Sequence, residues 1–275
     1  MLKLRMITAV CMALAFVGML FSVAPTIFSV SILPIVLIAG WEWSNLIKLV
    51  RRRDKVFFLI FLSSCLAVIA ISLDLTGDFK FQSAQMLLMI AVGLWAIIIL
   101  WIQGYPSSSI LWSSKPVLVM LGAALLAFTW LSIVSVLLRP SGQWLLLVGI
   151  LIVVMMDVGG FFVGKFFGRH KLAPVVSPGK TWEGFAGGIL FQVIIVGALM
   201  LVLPNKLSAL QIFLILPVAL FAVIGDLFES MVKRQSGLKD SGSILPGHGG
   251  ILDRIDGIMA AMPIYALLVH SLEFY

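Results

Sequence analysis

Five carboxylates and four bases crowd one polar stretch of an otherwise apolar chain. The segment Ser230 to Asp256, SMVKRQSGLKDSGSILPGHGGILDRID, holds Asp240, Asp253 and Asp256, with Glu229 and Asp226 just ahead of it. Lys233, Arg234, Lys239 and Arg254 are interleaved with these acids. Carboxylates offer hard oxygen ligands to a divalent cation, and lysine and arginine complement a multiply charged anion, so the stretch has the composition for phosphate chemistry. Segments long enough to cross a bilayer flank it on both sides, and charge in that setting is a functional hypothesis by default.

The spacing sharpens this. Asp226 closes one apolar segment, and Asp253 and Asp256 open the next with an i, i+3 interval that puts both on one helical face. Three acids converging from two helix ends repel one another unless a cation sits among them. Mg2+ suits such a place, because it takes one or two carboxylates together with phosphate oxygens, and no Cys or His cluster favours zinc. His248, set between Gly247 and Gly249-Gly250, reads either as a turn residue or as part of a glycine-rich approach of backbone amides to an anion. His170 and His270 read as ordinary loop and span-end residues.

A second polar stretch, Ser177 to Gly184 (SPGKTWEG), contains Gly179-Lys180-Thr181. It is no Walker motif, since Pro174 stands where the leading glycine belongs and no strand of a soluble fold precedes it. Ser177, Lys180 and Thr181 can still hold a phosphate ahead of a helix N-terminus. The plainer reading, compatible with the first, makes Thr181 the helix cap and Glu183 a first-turn acid. Asp157 lies within an apolar segment and is followed by Gly159, Gly160, Gly164 and Gly168. It belongs to the site or pairs with Lys165 or Arg169.

The elements that must position these residues are membrane helices. Of 275 residues, 61% are hydrophobic and 11% charged, against about 25% charged in soluble proteins. The net charge of +7 fits an anionic leaflet better than nucleic acid, because no soluble domain is long enough to present a binding surface. Apolar windows of about 20 residues cross a bilayer, and nine are present: 6–23, 27–47, 56–73, 85–102, 116–138, 144–164, 184–203, 209–228 and 257–272. Pro34 interrupts the second. Lys3 and Arg5 ahead of the first give it some look of a signal peptide, but the apolar core before Ala15 is too short, and an uncleaved span is expected.

With the N-terminus in the cytoplasm, nine spans put sixteen of the nineteen Lys and Arg on the cytoplasmic side and only Lys80, Arg139 and Lys206 opposite. The positive-inside rule therefore favours this topology. Both polar stretches then emerge on the cytoplasmic face, two spans apart. Trp41, Trp43, Trp101, Trp112 and Trp144 fall near span ends, where interfacial anchoring is expected. Glu42, Asp54, Asp74 and Asp78 lie at span ends or in loops, and no chemistry is expected of them. Residues 1–150 thus read as a membrane scaffold with some capacity for lipid, and residues 151–275 as the catalytic region. The fold class is an all-α polytopic membrane protein with its active site at the cytoplasmic face.

The run Ser230-x-Val232-Lys233-Arg234-x4-Lys239-Asp240-x-Gly242-x2-Leu245-Pro246-x-His248-Gly249-Gly250-Ile251-x-Asp253-Arg254-Ile255-Asp256 resembles the signature of the phosphatidate cytidylyltransferases, or CDP-diacylglycerol synthases. Asp157-x-Gly159-Gly160 and Ser177 to Gly184 resemble the same family, so the specific likeness covers residues 155 to 256. It implies a Mg2+-dependent reaction of CTP with phosphatidic acid in a bacterial inner membrane, yielding CDP-diacylglycerol and pyrophosphate. On that resemblance Lys239, Asp240, Arg254 and Asp256 are catalytic. Asp226 and Asp253 are the principal metal ligands, with Asp256 as a further ligand or a neighbour of one. Lys233, Arg234, His248 and Gly249, with Ser177, Lys180 and Thr181, bind substrate phosphates. A second cation and a homodimer are left open. Two rivals differ in kind: a CTP-dependent polyprenol-type lipid kinase would release CDP instead of pyrophosphate, and a cation-coupled transporter would hold its charges at the midplane between repeated halves, whereas these cluster at one face.

Overall fold

The computed structural model describes residues 2–202, 211–242, 244 and 249–271. In chain order its elements are α1 (Leu2–Ser22), α2 (Pro25–Ser31), α3 (Leu33–Leu46), α4 (Arg52–Ser72), α5 (Phe81–Gln103), α6 (Ser109–Trp112), α7 (Lys115–Leu137) and α8 (Gly142–Phe167). A short hairpin follows, β1 (Lys171–Ala173) and β2 (Ser177–Thr181), and then α9 (Trp182–Val202), α10 (Gln211–Ser236) and α11 (Leu252–Ser271). Seven segments among the described residues are long and apolar enough to cross a membrane. α1, whose apolar part Val10–Ser22 is shorter, and α11, whose first turn is charged, fall on the remaining two windows. The all-α polytopic expectation therefore stands.

Helix α7 is the axis of the bundle. It packs against α2, α3, α4, α5, α8 and α11, and 67% of its apolar window is buried, as expected of a helix apolar on every side. Polar ring atoms inside such a bundle need partners. Trp43 Nε1 donates to Leu118 O at 2.9 Å, Trp130 Nε1 to Ser29 O at 2.9 Å and Tyr265 Oη to Leu145 O at 2.7 Å. Trp43 and Trp112 are fully buried, which corrects their expected role as interfacial anchors. The expected break at Pro34 is present, since the chain pauses at Ile32 between α2 and α3.

Close backbone approach shapes the half that carries the charges. A Cβ on Gly159 would stand 2.7 Å from Gly187 O, and one on Gly184 would stand 2.8 Å from Gly160 O. Only glycine lets α8 and α9 touch at this separation, in the manner of small residues at membrane helix interfaces.

Two features depart from the sequence reading. Residues 230–236 continue α10 as helix instead of entering a loop. There Lys233 lies one turn beyond Glu229 and pairs with it at 2.5 Å, an i, i+4 contact that supports helix. The stretch ahead of α9 is an antiparallel hairpin, in which Lys171 pairs with Thr181 and Ala173 with Ser177.

Candidate active site

A cavity of about 490 Å³ lies where α8, α9, α10, α11 and β2 meet. Asp157 enters it from α8, Ser177, Lys180 and Thr181 from β2, and Asp226 and Lys233 from α10. Asp253, Arg254 and Asp256 come from the first turns of α11, and Asp240 from the connection before it. Phe161, Leu172 and Phe185 give part of the wall an apolar surface. The two polar stretches therefore meet, as their spacing across two spans required.

Lysines answer the converging acids. Lys180 Nζ forms an ion pair with Asp226 Oδ2, and Ser230 Oγ donates to the other Asp226 oxygen at 3.3 Å. Burial works against the charge on Lys180, but Asp226, Asp157 and Asp256 around it outweigh that and raise its pKa. Lys233 donates to Asp253 at 2.9 Å as well as to Glu229. Asp253 also accepts from Gly250 N at 2.7 Å and from Ser241 N at 3.1 Å. Burial pushes the Asp253 carboxyl up, yet the Gly250 N–H and the Lys233 ammonium hold it below the usual carboxylate range. Asp256 is 9% exposed and feels the charges of Asp226, Glu229 and Asp157.

Not every expected residue joins the cavity. Arg234 and Lys239 are exposed and outside its lining, and Gly249, half-buried at a left-handed φ of 80°, is outside it too. His248 lies outside the described residues. Asp157 faces the cavity in the neighbourhood of Lys180, Asp226 and Arg254, while Lys165, its alternative partner, sits 5.7 Å from the Phe161 ring centroid. Thr181 does cap α9, its Oγ1 accepting from Gly184 N at 3.1 Å. Glu183 accepts from Arg169 N at 3.1 Å and His170 N at 3.2 Å, which ties the end of α8 to the start of α9.

One participant went unrecognised in the sequence. Glu42, on α3, is 1% exposed and accepts from Leu252 N at 2.7 Å. Ser236 Oγ donates to Leu46 O at 2.6 Å, and Trp43 stacks on Phe228 with centroids 6.1 Å apart. The end of α3 is thus built into the support of the site. The available signal was an acid between two tryptophans late in an apolar window, which the rule for intramembrane charges would have flagged.

Among the described residues, no three His, Cys, Asp or Glu side chains close around a point as a metal cage. Mg2+ does not need one, since it keeps waters and takes one or two carboxylates plus phosphate oxygens. Asp226 and Asp256, facing one cavity from two helices, are an all-oxygen donor set of that kind. Both oxygens of Asp253 are engaged by N–H donors, as those of Asp226 are by Lys180 and Ser230, but Asp253 is also tied to the backbone on either side of the connection through Ser241 and Gly250.

Carboxylates and lysines gathered in a cavity at one end of a polytopic bundle define a membrane protein equipped to handle phosphate groups next to the lipid phase. The chain belongs to the cytidylyltransferase family, whose model matches residues 3–272. A phosphatidate cytidylyltransferase of Haemophilus influenzae is 35% identical over 97% of this chain and 98% of its own length. One of Pseudomonas aeruginosa is 37% identical over 98% of this chain and 97% of its own. A third, from Staphylococcus saprophyticus, is 44% identical over 48% of this chain and 51% of its own.

Proposed function

We propose that this chain is a phosphatidate cytidylyltransferase, which condenses CTP with phosphatidic acid to give CDP-diacylglycerol and pyrophosphate. The observation that carries the reading is the shared cavity that Asp226 and Asp256 line together with Lys180, Lys233 and Arg254, in a chain that aligns almost end to end with enzymes of that name.

In this reaction an oxygen of the lipid phosphate attacks the α-phosphorus of CTP, the bond from that phosphorus to the bridging oxygen breaks, and pyrophosphate leaves. A phosphate monoester has a second pKa of about 6 and is largely dianionic at neutral pH. No general base is needed, in keeping with a cavity whose described lining holds no histidine. The work left to the protein is positioning and neutralisation of charge. Lys180 stays protonated beside its acids and is placed to meet a triphosphate entering along β2. Arg254 lines the same cavity from α11. Mg2+, held by Asp226 and Asp256, would supply the positive charge that draws two anions together. Asp253 orders the start of α11 through Gly250 and Ser241. The apolar wall of Phe161, Leu172 and Phe185 suits the start of the lipid's acyl chains.

The cavity end faces the cytoplasm of a bacterial inner membrane in this reading. The end of α3, the start of α7 and the end of α10 gather there through the Glu42, Trp43 and Ser236 contacts, and the bases that follow α3 and α10 come with them. Arg139 lies at the other end, 4.4 Å from the Phe81 ring centroid and in contact with His270. The deciding experiment incubates purified protein with Mg2+, phosphatidic acid and CTP labelled at the α-phosphate. Label should enter the lipid with release of pyrophosphate. Label entering only from the γ-position would identify a lipid kinase instead.

A further inference from the structure

The connection between α10 and α11 is fastened at its neck by two carboxylates from different helices. Asp253 takes Ser241 N and Gly250 N. Glu42 comes from the other side, its Oε2 accepting Leu252 N at 2.7 Å and lying 3.5 Å from Ser241 Oγ. The fit leaves no room for a side chain on the facing backbone: a Cβ on Gly250 would stand 2.5 Å from Glu42 Oε2, and Gly242 is as close to Oε1. The opening N–H groups of a helix have no partner within it, and here Leu252, the first residue of α11, finds its partner on α3.

We infer that Glu42 is a positioning residue for the reaction at the cavity. Leu252 is one residue ahead of Asp253 and four ahead of Asp256, so the clamp on its N–H fixes the depth and rotation at which the first turns of α11 present Asp256 and Arg254. Glu42 does not line the cavity and acts through Leu252 N and, more weakly, Ser241 Oγ. A carboxylate clamp on a helix start holds position better than a packing contact, because a hydrogen bond to a charged acceptor is short and directional. Loss of the clamp lets the start of α11 shift, and a displacement of about 1 Å at reacting groups commonly costs about 10²-fold in rate.

The test compares Glu42→Gln, which keeps an acceptor oxygen, with Glu42→Leu, which keeps bulk and removes it. Glu42→Gln should hold kcat within about tenfold of wild type, whereas Glu42→Leu should lose about 10²-fold with KM for CTP nearly unchanged. Hydrogen exchange in detergent should be about tenfold faster over residues 249–256 of Glu42→Leu, with α7 as slow as in wild type. Wild-type kcat or wild-type exchange over 249–256 in Glu42→Leu overturns the inference. Faster exchange spread equally across α7 also overturns it, since Glu42 would then be a packing residue only. If Glu42→Leu does not accumulate, Glu42→Asp decides, because it keeps the charge but withdraws the oxygens by about 1.5 Å. Unchanged kcat in that variant is equally fatal. The kinetic arm rests on the proposed reaction and the exchange arm does not, so a failed reaction, seen in the wild type itself, is told apart from a failed clamp.

Discussion

The ion pair between Lys180 and Asp226 can be tested as a structural link and as part of the site at once. Removing one partner of a fully buried pair costs about 3–5 kcal/mol. Here the side chains keep 21% and 29% of their exposure, so about 1–3 kcal/mol is expected after allowing for solvent. The two single variants should differ. Lys180→Gln leaves Asp226, Asp157 and Asp256 facing one another, and belongs at the upper end. Asp226→Asn leaves Lys180 with Asp157 and Asp256 still nearby, and should cost nearer ~1 kcal/mol. For a chain of this size 1 kcal/mol moves Tm by about 2–4 °C, so the melting temperature in detergent should fall further in Lys180→Gln. Transfer of the α-labelled nucleotide should fall about 10²-fold or more in each single variant, through lost charge stabilisation. The double variant should recover stability without recovering transfer. Mg2+ should protect the wild type against heat and fail to protect Asp226→Asn. Transfer in the double variant within about threefold of wild type, or an Asp226→Asn protein less stable than Lys180→Gln, would refute the reasoning.

Three further outcomes are expected. Gly159→Ala should be destabilised by about 1–3 kcal/mol through overpacking against the α9 backbone, while Gly160→Ala, whose Cβ would meet nothing nearer than 3.6 Å, should melt like wild type. Folding lowers the pKa of Asp253 below its ordinary value of 3.8, so its contribution is present above that value and is lost as pH falls through the folded pKa. Melting curves below about pH 4 should therefore drop less steeply for Asp253→Asn than for wild type. Gly179 is exposed, and a Cβ added there would have nothing within 4 Å, so Gly179→Cys should react with an impermeant thiol reagent only after cells are lysed. Reaction in intact cells would reverse the orientation of the site.

Much of the scaffold was legible because membrane helices announce themselves by length and apolarity: the windows at 85–102 and 116–138 lie within a few residues of α5 and α7. The meeting of Lys180 with Asp226 was also legible, since an even number of spans between two polar stretches puts them on one face. What escaped depends on tertiary contact. Residues 230–236 look like loop by hydropathy, but Lys233 bonded to Glu229 and Asp253 keeps them helical. Strands as short as Lys171–Ala173 show no readable period. Trp43 looked interfacial because its indole partner, Leu118 O, lies 75 residues away. Lys239 shares the charged stretch with Lys233, yet composition could not say that only Lys233 turns into the cavity.

The clamp on α11 also has a timetable. Glu42 and Leu252 are 210 residues apart, which at about 5–20 residues per second is about 10–40 s of synthesis. For that interval the ribosome has delivered the acid but not the amide it will hold. A lone carboxylate is costly in hydrocarbon, so the end of α3 must stay in contact with water until α11 is inserted. A nascent chain stopped short of Leu252 therefore carries, at the end of α3, an acid that lacks the backbone partner it has in the finished protein.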